Sequence, residues 1–209
     1  FCILPWERKF CHETAGKMRT WDLIVVGSGI AGLSIALRAA RLGKVLVLSK
    51  ADWKAGSTDR AQGGIAAAVA PDDSPEKHVQ DTLVAGAGLC REGRVRQLCT
   101  GGPGAIRFLE EAGVRFSRKG SGSGDPYHLG REAAHSLARV LHANDITGSE
   151  ILRALLEAAG RHPNIEMLDN TPVVDLITQT SLRRPAGAPV GCAGVYVLNQ
   201  ASRQVESLF

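Results

Sequence analysis

The chain has 209 residues, 44% of them hydrophobic, with 25 Lys+Arg against 21 Asp+Glu and a formal net charge of +4. That length allows one or two domains with a buried core, the charge is too small for an electrostatic footprint on nucleic acid, and no apolar run reaches the roughly 18 residues of a membrane span. Glycine accounts for 24 residues, above the usual share of about 7%, with no collagen-like repeat, which points to tight turns and close backbone approach to ligands.

Met18 reads as the natural start, with residues 1–17 as upstream sequence. Residues 1–19 are therefore expected to be a disordered extension ahead of one domain over 20–209. The apolar stretch Phe1–Trp6 is too short for a signal peptide, and its charges follow it instead of preceding it. The five cysteines (Cys2, Cys11, Cys90, Cys99 and Cys192) are odd in number and form no C-x-x-C pair. This argues against a zinc ribbon or a thioredoxin motif and for reduced thiols in a cytoplasmic protein.

Leu23-Ile24-Val25-Val26 is a continuous apolar run, the pattern of a strand buried on both faces. It enters Gly27-Ser28-Gly29-Ile30-Ala31-Gly32. A helix follows, with Leu33, Leu37 and Ala40 on its inner face and Gly43 as its terminal glycine. A second buried strand spans Lys44–Lys50, which completes a βαβ unit and makes the central sheet parallel. Residues 51–75 are irregular. Helical periodicity returns around Val79, Leu83 and Leu89, and again at Ala105, Ile106, Leu109 and Ala112. Residues 118–126 have the composition of a flexible loop. Thr147-Gly148-Ser149-Glu150 matches a capping box for a helix that carries Ile151, Leu152, Leu155, Leu156 and Ala159 and stops at Gly160. Strands follow at Ile165–Leu168 and Val173–Ile177. Pro185 and Pro189 mark a loop, and Gly194–Leu198 with Arg203–Phe209 form a terminal β-hairpin whose second strand lacks a partner.

A Gly-x-Gly-x-x-Gly motif between a buried strand and an amphipathic helix is a dinucleotide-binding signature. Gly27 allows the tight turn, Gly29 lets backbone approach a pyrophosphate, and Gly32 lets helix and strand pack closely. The acid expected about 20 residues on is absent, because the second strand ends Ser49-Lys50. That favours a flavin enzyme over one that uses NAD. His135, Arg139 and His142, at i, i+4 and i+7, would share one face of a helix. No acidic or cysteine ligand shares that spacing, so no metal site is expected.

These residues, with Gly56-Ser57-Thr58, Ala61-Gln62-Gly63-Gly64-Ile65-Ala66-Ala67, Tyr127–Ser136 and Arg139–Gly148, resemble the succinate dehydrogenase/fumarate reductase flavoprotein superfamily. Within it they are most similar to the L-aspartate oxidases. The resemblance runs collinearly over residues 20–198. It implies an α/β, Rossmann-like FAD-binding domain cut before its last central strand, without the later capping and C-terminal helical domains. By this resemblance Ser28, Gly29, Ile30 and Ala31 meet the FAD pyrophosphate, Gly27 and Gly32 belong to the same cofactor-binding turn, and Lys50 lies near the adenosine ribose. Ser57, Thr58, Asp59, Arg60, Ala61, Gln62, Gly63 and Gly64 wrap the rest of the cofactor, and Pro172 and Val173 offer backbone to the adenine. Ser57 stands where respiratory relatives carry the histidine bonded to FAD, so the cofactor is expected to be non-covalent. Asp59-Arg60 depart from the aromatic residues frequent at that place.

The implied reaction is oxidation of L-aspartate to iminoaspartate, the first step of NAD synthesis, with oxygen or fumarate as electron acceptor and a functional link to quinolinate synthase. Glu132 would meet the substrate ammonium, while the family's other catalytic residues lie downstream of this chain. The rival readings are a fumarate reductase or succinate dehydrogenase flavoprotein, and a non-catalytic dinucleotide-binding fragment. A flavin-dependent nucleic-acid modifier is disfavoured by the mild charge.

Overall fold

The structure, a computed structural model, describes residues 20–122, 124–178, 191–200 and 202–209. The expectations for residues 1–19 and for the loop at Pro185 and Pro189 lie outside them. In chain order the elements are β1 (Leu23–Val26), α1 (Ile30–Ala39), β2 (Val45–Leu48), β3 (Ile65–Ala66), α2 (Pro75–Ala85), α3 (Glu92–Glu111), β4 (Leu129–Gly130), β5 (Val140–Leu141), α4 (Thr147–Arg161), β6 (Ile165–Leu168), β7 (Val173–Thr178), β8 (Cys192–Asn199) and β9 (Gln204–Leu208).

The described strands form three sheets. The first is parallel, in the order β1-β2-β6, with Val25 beside Val47 and Val47 beside Met167. Every residue of β2 is buried, because it has a strand on each side and a layer on each face. Val45 and Val47 pack into the main core with Leu33 and Ala36 of α1 and Leu152 and Leu155 of α4. Leu46 and Leu48 face the other way, onto Val195 and Val197 of β8. The terminal hairpin is present, and its other neighbour is β7, giving an antiparallel sheet β7-β8-β9 that covers the second face. The third sheet is a short antiparallel ribbon, β3-β5-β4.

Several local expectations need correction. Leu23–Val26 is not buried on both faces: only Val25 is buried and Val26 is 57% exposed, because β1 is an edge of the described sheet. Helix α1 ends at Ala39, before Gly43. A Cβ on Gly43 would run into the Asp22 carboxylate, whose Oδ2 accepts the Lys44 N–H at 2.7 Å, so Gly43 provides room and not a left-handed cap. Leu89 lies outside α2 and is 92% exposed, since Ala87 and Gly88 take positive φ and break the helix. Helix α3 starts at Glu92, well before Ala105, and runs through Gly101-Gly102-Pro103-Gly104. Its buried face of Val95, Cys99, Ile106 and Leu109 overrides the poor propensity of those residues. The loop expected over 118–126 is tied down at Arg118 and Asp125: Arg118 donates to the Asp125 carbonyl at 2.6 Å and pairs with Glu110 at 2.7 Å.

The capping box at α4 does not form. The Thr147 hydroxyl accepts from the Ala143 N–H at 3.0 Å, and Glu150 Oε1 accepts from the Arg115 N–H at 2.9 Å. The helix start is buried against another loop, whose Ala61 carbonyl takes the Gly148 N–H at 2.9 Å. Gly160 lies inside α4, which reaches Arg161. His135, Arg139 and His142 do not share a helix, because residues 131–139 form a loop leading into β5.

Leu155 is fully buried between α4 and the sheet. Leu155→Ala is expected to lower stability by about 2–5 kcal/mol, read from the midpoint and slope of urea denaturation.

Candidate functional site

The chain leaves β1 through a turn that a side chain would obstruct. Gly27 has φ +110°, and its N–H donates to the Leu48 carbonyl at 2.8 Å. A Cβ on Gly32 would overlap the Gly27 carbonyl and approach Val25 Cγ1 at 3.3 Å, so only glycine lets α1 sit this close to β1. Gly29 caps α1 in an extended conformation, with no side-chain cap and no acid in the first turn. The unpaired N–H groups and the helix dipole therefore offer positive partial charge at this end. Ser28 is buried, and its hydroxyl lies 3.1 Å from the Ser49 hydroxyl at the end of β2.

Three further segments gather at this turn and the end of β2 beside it. The Thr58 hydroxyl accepts the Ile30 N–H at 3.2 Å, which brings the 57–61 loop to the start of α1. That loop is fixed from behind: a Cβ on Gly148 would overlap the Thr58 carbonyl and crowd Ala61. At the other end, the Ser49 carbonyl accepts the Thr171 N–H at 2.8 Å, and the Pro172 carbonyl accepts the Leu198 N–H at 2.9 Å. Lys50 and Pro172-Val173 are thus neighbours beside the end of β2, with the Lys50 side exposed. The Gln200 amide donates to the Lys50 carbonyl at 3.5 Å.

Two glycines expected to face a flat ring behave differently. A Cβ on Gly63 would meet nothing, whereas one on Gly64 would overlap the Leu141 carbonyl and the Val140 side chain. Gly64 is needed to lay β3 against β5. Ser57, Arg60, Ala61, Gln62, Gly63 and Gly64 are exposed. Asp59 has a buried carboxylate oxygen, Oδ1, with no hydrogen-bond partner among the described residues. Such an acceptor fits a hydroxyl or N–H donor of a ligand.

Glu132 sits elsewhere. It is exposed, with no side-chain partner among the described residues. The ribbon register, Ile65 and Leu129 opposite Leu141, and Ala66 and Gly130 opposite Val140, puts Gly64 level with one end and Glu132 beyond the other. His142 and His128, whose ring nitrogens are 2.8 Å apart, lie at the Gly64 end. His135 makes an edge contact with His78, ring centroids 5.8 Å apart. Arg139 is fully buried. It donates to Asp73 at 2.9 and 3.0 Å and to Asp81 at 2.6 Å. Burial raises the Asp81 carboxyl, but the Ser136 N–H and hydroxyl and the Arg139 guanidinium outweigh it and hold it at about 2. Desolvation is also the main cause lowering the His78 imidazole. Among the described residues, no group of three His, Cys, Asp or Glu is placed to hold a metal.

Sequence reading missed Gly148, Asp73, Asp81 and Ser136. A glycine in the first turn of a helix, where propensity disfavours it, was the signal for Gly148. The two aspartates carry no local signal.

A glycine turn at the carboxyl end of a parallel sheet, leading into an uncapped helix, defines a dinucleotide-binding α/β domain. Residues 22–208 match the FAD binding domain family, and the chain belongs to it. An L-aspartate oxidase of Pseudomonas aeruginosa is 46% identical over 190 residues, covering 89% of this chain and 35% of the relative. A chloroplastic L-aspartate oxidase of Nicotiana tabacum is 44% identical, covering 91% and 28%. The chain spans about a third of the length of these curated relatives. The solved E. coli quinol fumarate reductase FrdA superposes with a TM-score of 0.78 at 26% identity, over 92% of this chain and 32% of that one. Among the described residues no helix is long and apolar enough to cross a membrane.

The start of α1, where Thr58 takes only the Ile30 N–H, and the orphaned Asp59 oxygen fit FAD, an anion bearing many hydroxyls. Gly148→Ala is expected to displace the 58–61 loop and weaken FAD binding at least about 10-fold, measured by flavin fluorescence titration of the apoprotein.

Proposed function

We propose that these residues are the FAD-binding part of an enzyme that oxidises L-aspartate to iminoaspartate, with the cofactor held non-covalently. The observation that carries this reading is the 46% identity to an L-aspartate oxidase over 190 residues, which includes the whole glycine turn and the Glu132 loop.

Residues 20–209 are read as one FAD-binding unit. Ser28, Gly29, Ile30 and Ala31 would hold the pyrophosphate at the start of α1, with Gly27 and Gly32 shaping the turn. Thr58 would add its hydroxyl there, Lys50 would lie by the adenosine ribose, and Pro172 and Val173 by the adenine. Ser57, Asp59, Arg60, Ala61, Gln62, Gly63 and Gly64 would line the remainder. FAD held there would supply the two-electron oxidising chemistry for loss of a hydride from the aspartate Cα and a proton from its nitrogen, with oxygen or fumarate as the final electron acceptor. Glu132, exposed and unpaired among the described residues, would receive the substrate ammonium, a group that succinate and fumarate lack. Free Cys90, Cys99 and Cys192 agree with a cytoplasmic enzyme, and the unstable imine product suggests a following enzyme of the quinolinate synthase type. The superposition on FrdA favours a second reading, in which the substrate is an unsubstituted dicarboxylate.

Two experiments test this. Acid precipitation of the full-length protein is expected to leave all FAD in the supernatant; flavin remaining in the pellet would contradict non-covalent binding. In the same protein, Glu132→Gln is expected to lower kcat/KM for L-aspartate about 10- to 100-fold while leaving fumarate reduction by a reduced dye intact. Equal loss of both would refute the assigned role.

A further inference from the structure

The Glu132 side chain has no anchor of its own, so its direction is set by whatever holds the loop 131–139 between β4 and β5. Two bonds close the loop on itself: the His135 N–H donates to the Glu132 carbonyl at 3.0 Å, and Arg131 Nε donates to the His135 carbonyl at 2.8 Å. These shape residues 131–135 into a turn without fixing where that turn points.

The external hold comes from α2. One oxygen, Asp81 Oδ2, accepts three hydrogen bonds: the Ser136 N–H at 2.7 Å, the Ser136 hydroxyl at 2.8 Å and Arg139 Nη1 at 2.6 Å. Arg139 is kept in place from its far side by Asp73, at the entrance to α2. The edge of His78, also on α2, meets His135. Asp73, His78 and Asp81 therefore grip the loop at residues 135, 136 and 139, while Glu132 projects ahead of the grip.

Resting on the reading of Glu132 as the ammonium-binding group, we infer that Asp81 is a positioning residue that aims Glu132 through Ser136 and so sets the preference for an amino-substituted dicarboxylate. Asp81 does not touch the substrate. It acts as the fixed acceptor on which the loop is registered, and a charged acceptor suits this because charge-assisted bonds are short and strongly directional. Its carboxyl remains ionised at any working pH, since it is held at about 2.

The test uses the full-length, FAD-loaded protein with Asp81→Asn, Ser136→Ala and Glu132→Gln. KM and kcat are measured for L-aspartate oxidation and for fumarate reduction by a reduced dye, with the flavin-to-protein ratio and melting temperature alongside. Ser136→Ala keeps Arg139 bonded to both carboxylates, so it decides the matter even where Asp81→Asn fails to fold. The expected result is a KM for L-aspartate raised about 3- to 10-fold in Ser136→Ala and by more in Asp81→Asn. The fumarate KM, flavin content and melting temperature of Ser136→Ala should stay near the wild type, and Ser136→Thr should restore the KM. A merely structural role would move both substrates together, and that outcome overturns the inference. An unchanged aspartate KM in Ser136→Ala overturns it too. Selective loss in Glu132→Gln without selective loss in Ser136→Ala refutes the positioning role alone, whereas no selectivity in Glu132→Gln removes both.

Discussion

The complete burial of β2 constrains the rest of the molecule. A strand with a neighbour on each side and apolar layers on both faces has one register and one direction open to it. Val45 and Val47 set it against α1 and α4, while Leu46 and Leu48 set it against β8. The groups proposed to hold the cofactor then gather at its carboxyl end. Leu48 fixes the Gly27 turn through its carbonyl, Ser49 holds Ser28 and Thr171, and Lys50 follows at once. The site's position follows from burying four consecutive aliphatic residues, and its chemistry from the polar residues that come next.

Two helix starts converge on the loop that lies over this end. The first N–H of α1 is spent on Thr58 Oγ1, and Gly148, in the first turn of α4, donates to the Ala61 carbonyl. The loop is thus clamped between α1 and α4, which also pack against each other. Orphan N–H groups that a serine or aspartate cap would satisfy locally are satisfied here by a segment 28 residues from one helix start and many more from the other. That arrangement makes helix capping a tertiary interaction.

This explains which parts were legible in the sequence. The βαβ unit, the strands Ile165–Leu168 and Val173–Ile177 and the final hairpin announce themselves through local periodicity and turn residues. The ribbon β3-β5-β4 does not, since strands of two residues have no period to read. The expected capping box failed because Thr147 and Glu150 found partners in Ala143 and Arg115 instead of their own helix. The glycine turn was legible as a motif because its demands are steric and local. The spacing of His135, Arg139 and His142 misled because the partners of Arg139 are 66 and 58 residues away, which no helical count can suggest.

Arg139 also joins two packing units. Helix α3 belongs to both: Val95 and Cys99 share a small cluster with Val79 of α2, while Ile106 and Leu109 lie in the main core. Gly102, between those pairs, is the point where a Cβ would touch Ala67 next to β3. Helix α2 and the residues just before it meet the segment leading into β5 through Asp81, Asp73 and His78. A buried ion cluster contributes little net stability, because desolvation offsets most of the attraction. Apolar residues of equal volume would join the units about as firmly. They would not, however, give Ser136 an acceptor, nor fix the rotation of the loop ahead of β5. What the charges add at this junction is direction, and the segment they direct is the one that carries Glu132.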